Sequence, residues 1–193
     1  MHVFIVYTHP SEDSFTRHVR DEFIKGITSV GHTYEISDLY KMSFNSDMSE
    51  KEYLREANYL IDLPIADDVL NEQEKINRSD AIVFIYPVFW TEAPAKLVGW
   101  FNRVWTYGFA YGNRTMKKLS KALVLCIAGN TISHLDKYGH LESMKKVMLG
   151  DRIFDRAYES NMIVLDGMTK ENELRNKNWV NHLKIAFEAG ASI

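Results

Sequence analysis

The stretch Ala81-Ile82-Val83-Phe84-Ile85-Tyr86 decides the fold, because six consecutive apolar or aromatic residues lead into Pro87. A continuous run of this kind is typical of a parallel strand that helices cover on both faces. Together with the residues that follow, it forms the longest near-continuous apolar run, 81–90, which covers ten positions. A membrane-spanning helix needs about 20 such residues. The run therefore predicts a central strand of a parallel sheet and no insertion into a membrane.

Four further apolar segments flank this strand and are separated by amphipathic stretches. The predicted strands cover residues 3–7, 33–36, 81–86, 122–128 and 162–165. Helical periodicity predicts four helices, each with one buried apolar face. In chain order, the predicted buried faces are Phe15, Val19, Phe23 and Ile27 in the first helix; Val69, Leu70 and Ile76 in the second; Leu97, Val98, Phe101, Val104 and Trp105 in the third; and Trp179, Val180, Leu183, Ala186 and Phe187 in the last. Residues 38–63 lack clean periodicity and are predicted to form an elaborated connection. This alternation predicts a doubly wound α/β domain with right-handed crossovers.

Composition limits the class of protein. The 193 residues suit a single domain, 1–193, and the formal net charge of −3 argues against a nucleic-acid binder. Cys126 is the single cysteine, so we expect no internal disulfide, no cysteine metal cluster and no metal site. The first residues have the pattern of a strand rather than of a signal peptide, which leads us to expect a cytoplasmic protein.

In doubly wound sheets, ligands bind beyond the carboxyl ends of the strands. The first segment in that position contains His9, Ser14 and Thr16 and leads into a helix whose N-terminus favours an anion. One interpretation is a phosphate site made from amides, hydroxyls and an imidazole. The other is an ordinary capped helix with a surface histidine. Neither the glycine-rich dinucleotide fingerprint nor the lysine-containing P-loop is present.

Two more segments follow strands. Phe89 and Trp90 come directly after the central strand and offer planar surfaces for a flat ligand, although aromatic side chains more often belong to a core. After the fourth strand, Gly129 allows the backbone to approach a flat ring. The acid–base candidates His134, Tyr138 and His140 come next, and any one of them taken singly is more often a solvated or packed residue.

Four motifs in this order carry a resemblance to a known family. They are Thr8-His9-Pro10 followed by Ser14-Phe15-Thr16; DLYKMSFN at 38–45; YPVFWTEAPAKLVGWFNRV at 86–104; and YGFAY at 107–111. Together they resemble the NAD(P)H:quinone oxidoreductase family of the DT-diaphorase type, over residues 1–150. The resemblance implies a flavodoxin-like fold, a five-stranded sheet of order 2-1-3-4-5 and a bound flavin. It also implies hydride transfer from NAD(P)H to quinones or similar acceptors, usually by homodimers with the site at the interface.

The resemblance also assigns roles to residues. It places the flavin phosphates on His9, Ser14, Phe15 and Thr16, and the isoalloxazine ring against Pro87, Val88, Phe89, Trp90 and Thr91, with Ala128, Gly129 and Asn130 beside it. Phe109 and Tyr111 are expected to line the substrate cavity. We expect FAD rather than FMN, because 38–45 is most similar to the FAD-binding members. The sequence departs from the family pattern Thr-Thr-Gly-Gly at Ile127-Ala128-Gly129-Asn130, so Tyr138 and His140 are only the nearest candidates for a tyrosine–histidine pair that assists hydride transfer.

Two other functions are compatible with a flavin site. One is a regulatory flavoprotein subunit that binds a potassium-efflux transporter, since such subunits resemble the same family. The other is a one-electron carrier like flavodoxin, which His9-Pro10 in the first loop and the nearly neutral charge disfavour.

Overall fold

The computed structural model describes residues 1–171 and 173–193. Its sheet has five parallel strands in the order β2-β1-β3-β4-β5, which confirms the predicted flavodoxin-like order. The strands are β1 His2–Tyr7, β2 Thr33–Asp38, β3 Ala81–Pro87, β4 Leu119–Ile127 and β5 Ala157–Leu165. The helices are α1 Phe15–Ser29, α2 Glu50–Ala57, α3 Asp67–Arg78, α4 Ala95–Val104, α5 Ile132–Lys137, α6 His140–Lys145 and α7 Arg175–Ala191. A π-helix, Lys146–Ile153, and a 3-10 turn, Phe154–Arg156, connect α6 to β5.

Strand β3 lies at the centre of the sheet, and all seven of its residues are buried. Because side chains alternate across a sheet, the strands feed two cores. One core contains Phe84 of β3 and packs against α3 and α4, and the other contains Val83 and packs against α1 and α7. The predicted central strand, covered on both faces, is confirmed.

Three sequence predictions about element boundaries and burial were incomplete or wrong. β5 begins at Ala157, before the predicted 162, because its first half is an exposed polar edge that carries no apolar signal. The predicted connection 38–63 contains α2, which begins with a capping box formed by Ser49 and Glu52. Leu70, Val180 and Phe187 are exposed rather than buried.

The packing of α7 explains its unexpected exposure pattern. The helix contacts α1 through small residues, of which Gly190 is the closest to its partner. A Cβ atom added at Gly190 would lie 2.1 Å from the Phe23 carbonyl oxygen, and one added at Gly26 would lie 2.1 Å from the Phe187 carbonyl oxygen. The two helices therefore meet backbone to backbone, and the periodicity of large side chains does not reveal this face of α7.

We expect Gly190→Ala to destabilise the fold, because the added methyl group must push α7 away from α1. Overpacking of this kind costs about 1–3 kcal/mol of the free energy of unfolding. Gly150→Ala is the matched control, since a Cβ atom at Gly150 meets no heavy atom within 4 Å. Thermal and urea unfolding measure both variants, and equal stability of the two would contradict the close helix crossing.

Candidate functional site

The ends of the central strands bring three loops to one edge of the sheet. The Thr8 amide donates to the Ile85 carbonyl at 3.0 Å, and the Val88 amide donates to the Ile127 carbonyl at 2.8 Å. The strand order reverses between β1 and β3, and this is where open parallel sheets bind their ligands. Three segments predicted from the sequence, after residues 7, 87 and 127, are therefore neighbours along one crevice.

The first loop holds the His9 ring in a defined position. His9 Nδ1 lies 3.0 Å from the Ser11 amide nitrogen and 2.9 Å from the Ser11 carbonyl oxygen, so the ring is fixed against the Ser11 backbone. Burial lowers the pKa of His9, and its contact with the Ser11 backbone opposes this effect only in part. The fold therefore favours the neutral imidazole near the start of α1.

The start of α1 adds backbone donors to the same loop. The Ser14 hydroxyl accepts a hydrogen bond from the Arg17 amide at 3.2 Å and caps the helix. Phe15 and Thr16 have buried side chains, so their side chains face the core. Their amides belong to the first turn, where helices have no internal acceptors. The hypothesis that Phe15 and Thr16 bind an anion therefore depends on their backbone.

Two buried hydroxyl groups at the end of β1 lack partners. Among the buried side chains of residues 1–171 and 173–193, Tyr7 Oη and Thr8 Oγ1 make no hydrogen bond to the protein, and the same holds for Arg156 Nε in the 3-10 turn and His182 Nδ1 in α7. Buried polar atoms nearly always have a partner, so such orphans require an explanation. A polar cofactor at this edge of the sheet supplies one, and the residues present fit a flavin in this respect.

The second loop is a strained two-residue turn. Phe89 and Glu92 exchange backbone hydrogen bonds of 2.8 and 2.9 Å, while Trp90 and Thr91 have φ angles of 51° and 67°. Positive φ at both central positions normally requires Gly, Asn or Asp, and it is rarest for a β-branched residue such as threonine. Strain of this kind costs about 1–3 kcal/mol per residue and is concentrated at functional sites.

The turn also determines what is available to a ligand. Trp90 is fully exposed and Phe89 is half-exposed, whereas Pro87 is buried in β3. In the described ranges, the amides of Trp90 and Thr91 donate no backbone hydrogen bond. The loop therefore presents exposed aromatic surface and two free amides, and its role in binding a flat ligand stays a prediction.

The backbone of the third loop is hydrogen-bonded to the segment that follows β5. The Met168 amide donates to the Ala128 carbonyl at 3.1 Å, and the Gly167 amide donates to the Asn130 carbonyl at 3.0 Å. A Cβ atom added at Gly129 would lie 2.7 Å from Thr169 Cγ2. Contact with Thr169 therefore accounts for the glycine, and its expected approach to a flat ring stays a prediction.

The acid–base candidates form an aromatic stack beyond the third loop. The Tyr138 ring lies 4.9 Å from the His134 ring and 5.9 Å from the His140 ring, measured between centroids. Tyr138 is exposed and lies between α5 and α6. The structure thus brings together the three residues singled out from the sequence, with a phenol between two imidazoles.

The two expected cavity residues lie in different environments. Phe109 is only 5 % exposed and belongs to the core, so the expectation that its side chain lines an open cavity is not met by the isolated chain. Tyr111 is more exposed, and its hydroxyl donates to Glu56 Oε2 at 2.9 Å. Burial, followed by the neighbouring Glu56, raises the pKa of Tyr111 to about 12.

Sequence reasoning missed several residues near these loops. An open cavity of about 340 Å³ adjoins the first loop and includes Arg20 and Asp38 in its lining. The Arg20 guanidinium lies over the Tyr7 ring at 4.6 Å. Arg152 of the π-helix forms an ion pair with Glu92 at 2.9 Å. None of these pairings has a local sequence signal, because the partners are 13 to 60 residues apart.

Comparisons with known proteins place the chain in a class. Residues 1–152 match the model of the flavodoxin-like fold family, and the chain therefore belongs to this family. The structure is similar to an NAD(P)H:quinone oxidoreductase from Methanothermobacter marburgensis, with 45 % identity and a TM-score of 0.94. That match covers 100 % of this chain and 96 % of the other, and it confirms the resemblance predicted from the residues.

Curated relatives match a shorter region. The ribosyldihydronicotinamide dehydrogenase (quinone) of Homo sapiens is 30 % identical over 122 residues, which is 56 % of this chain and 53 % of that protein. The NAD(P)H dehydrogenase (quinone) 1 of Rattus norvegicus is 31 % identical over 125 residues, which is 58 % of this chain and 46 % of that protein. The chain thus spans about half the length of these two relatives.

Within residues 1–171 and 173–193, every helix is too short or too polar to span a membrane. No group of three or more His, Cys, Asp or Glu side chains in the same ranges is arranged to hold a metal ion.

We expect His9 to reduce stability in acid. Because burial holds the folded-state pKa of His9 below its ordinary value of 6.5, the fold favours the neutral imidazole, and this contribution to stability is lost as the pH falls through 6.5 and below. In His9→Asn, the amide oxygen can still accept from Ser11 but does not titrate. Urea unfolding at about pH 8 and about pH 5 should show a smaller loss of stability for His9→Asn than for the wild type. An equal loss in both proteins would contradict the assignment.

Proposed function

We propose that this protein is a flavin-dependent oxidoreductase that passes two electrons from NAD(P)H to quinones or similar acceptors. The observation that carries the proposal is the likeness, over the whole chain, to a protein named as an NAD(P)H:quinone oxidoreductase. The strained turn and the orphaned hydroxyls at the same sheet edge support it independently. The curated relatives are also named as dehydrogenases, so a regulatory transporter subunit is not proposed.

The flavin phosphates are assigned to the first loop. The His9 imidazole, the Ser14 hydroxyl and the amides of Phe15 and Thr16 all lie in the loop before α1 or in its first turn. The positive end of the helix dipole attracts an anion to this position. Because His9 is neutral, it contributes a directed hydrogen bond rather than a full charge.

The isoalloxazine ring is assigned to the second and third loops. The backbone of Pro87, Val88 and Phe89 leads to the free amides of Trp90 and Thr91, and Ala128, Gly129 and Asn130 adjoin β3 through β4. When bound, the flavin supplies the chemistry of accepting a hydride and releasing electrons. The protein supplies position, exclusion of water and polar groups.

Proton handling is assigned to Tyr138 and His140. The stacked rings of this pair, with His134 on the other side of Tyr138, place one hydroxyl and two imidazoles in a single group. An imidazole can hold or release a proton near neutral pH, and a neighbouring hydroxyl can donate to a substrate oxygen. NAD(P)H and the acceptor are proposed to use one cavity in turn, which corresponds to ping-pong kinetics.

A second copy of the chain is proposed to complete the cavity. The surface around α2 exposes Tyr53, Leu54, Tyr59, Leu60 and Ile61, and Tyr111 adjoins it through Glu56. Clustered exposed apolar side chains mark interaction surfaces. We propose a cytoplasmic homodimer in which this surface meets its partner, so that Phe109 and Tyr111 approach a cavity in the assembly.

The proposed function predicts a yellow protein. Purified protein should show the absorption bands of a bound flavin, and mass spectrometry of the released cofactor should identify FAD, because segment 38–45 is most similar to the FAD-binding members. FMN would correct the cofactor and leave the reaction class unchanged. A colourless protein that takes up neither FAD nor FMN on incubation would contradict the proposal.

We expect Trp90→Ala to weaken flavin binding. Loss of one aromatic contact with a flat ring costs about 1–3 kcal/mol, which corresponds to roughly fivefold to 150-fold in the dissociation constant. Tyr158→Ala is the matched control, because Tyr158 is also an exposed aromatic residue and lies at the opposite end of the sheet, at the start of β5. Titration of the flavin-free protein measures both, and equal affinities would remove Trp90 from the proposed site.

A further inference from the structure

An ion pair joins the strained turn to the π-helix. Arg152 donates to both carboxylate oxygens of Glu92, at 2.9 Å to Oε1 and 3.4 Å to Oε2. Glu92 closes the turn through its backbone bonds to Phe89, and Oε1 also accepts from the Ala93 amide at 2.7 Å. One carboxylate therefore links the turn, the residue that follows it and a side chain 60 residues away.

Contacts with α4, the π-helix and Trp105 fix the position of Arg152. Its guanidinium lies 5.0 Å from the centre of the Phe101 ring and donates to Met148 Sδ at 3.3 Å. Its carbonyl oxygen accepts a hydrogen bond from Trp105 Nε1 at 2.7 Å. The side chain is mostly buried, so Arg152 is a fixed counter-ion rather than a mobile surface charge.

The sequence of the turn does not account for its conformation. Trp90 and Thr91 both have positive φ, and neither residue type favours that region. Such a backbone persists only where its surroundings determine it. The contacts that restrain the turn are the Phe89–Glu92 backbone bonds and the Glu92 side chain, and the latter is fixed by Arg152.

We propose that the Glu92–Arg152 ion pair is a positioning device that holds the Trp90–Thr91 turn in the conformation needed to bind the flavin ring. This inference rests on the proposed function. The pair also connects the two sides of the site, because the π-helix follows α6, where His140 lies, and its Met148 packs beside Val88 and Thr91. A π-helix is rare, and its frequent occurrence at functional sites agrees with this role.

The test uses Glu92→Gln and Arg152→Met. Glutamine keeps one oxygen for the Ala93 amide but loses the charge and one of the two acceptors for Arg152, while methionine keeps much of the apolar stem. The matched control is Asp155→Asn, which breaks the neighbouring Arg114–Asp155 ion pair of 2.8 Å without touching the turn. Each protein is titrated with FAD and FMN, the bound absorption spectrum is recorded, and thermal unfolding is measured alongside.

We expect both pair variants to bind flavin about tenfold more weakly, which is about 1.4 kcal/mol, and to shift the bound absorption bands. The double variant should lose little more than either single variant, because the two residues act as a unit. Arg152→Lys, which keeps the charge without the bidentate geometry, should lie between Arg152→Met and the wild type. Asp155→Asn should match the wild type in affinity and spectrum.

A readout without flavin separates this inference from the proposed function. Hydrogen exchange at the Phe89 and Glu92 amides in flavin-free protein should be faster in both pair variants and unchanged in Asp155→Asn. Equal exchange in all four proteins, or flavin affinities that follow thermal stability alone, would overturn the positioning role. A wild-type chain that binds neither flavin would instead contradict the proposed function.

Discussion

The burial of β3 on both faces is the constraint on which the rest of the structure depends. Every residue of this strand is buried, and its side chains fill the cores on the two faces of the sheet. Because β1 and β4 pair with β3 in parallel, all three strands end at the same edge of the sheet. Polar and aromatic groups for a ligand can collect only there, which is why the loops after residues 7, 87 and 127 form the candidate site.

A second constraint comes from the last helix. α7 lies against α1 with Gly26 and Gly190 at the crossing, and α1 begins at the first loop of the site. The position of His9 and Ser14 relative to β3 therefore depends on a helix beyond the region matched by the family model, residues 1–152. The closing helix is part of what shapes the site, although it adds no residue to the assigned contacts.

The sequence predicts the features that depend on local pattern and misses those that depend on distant partners. The apolar run 81–86 and the four-residue spacing from Phe15 to Ile27 gave the central strand and α1 correctly. The close approach of α7 to α1 could not be predicted from the sequence, because glycine contributes nothing to hydrophobic periodicity. The strained turn was hidden for a different reason, since Trp90 and Thr91 are residue types that argue against positive φ. The Glu92–Arg152 ion pair has no sequence signal at all.

Buried polar groups at the site edge differ from the buried carboxylate of Glu72 in their hydrogen bonding. Glu72 is fully buried, and its carboxylate accepts hydrogen bonds from Ser37, Lys75 and Trp100. Tyr7 Oη and Thr8 Oγ1 are also buried, and within residues 1–171 and 173–193 neither makes a hydrogen bond, a property they share with Arg156 Nε and His182 Nδ1. Hydrogen bonds to another molecule would offset the free energy cost of burying the Tyr7 and Thr8 hydroxyls without partners. These hydroxyls lie at the same edge of the sheet as the strained turn, where the proposed flavin would bind.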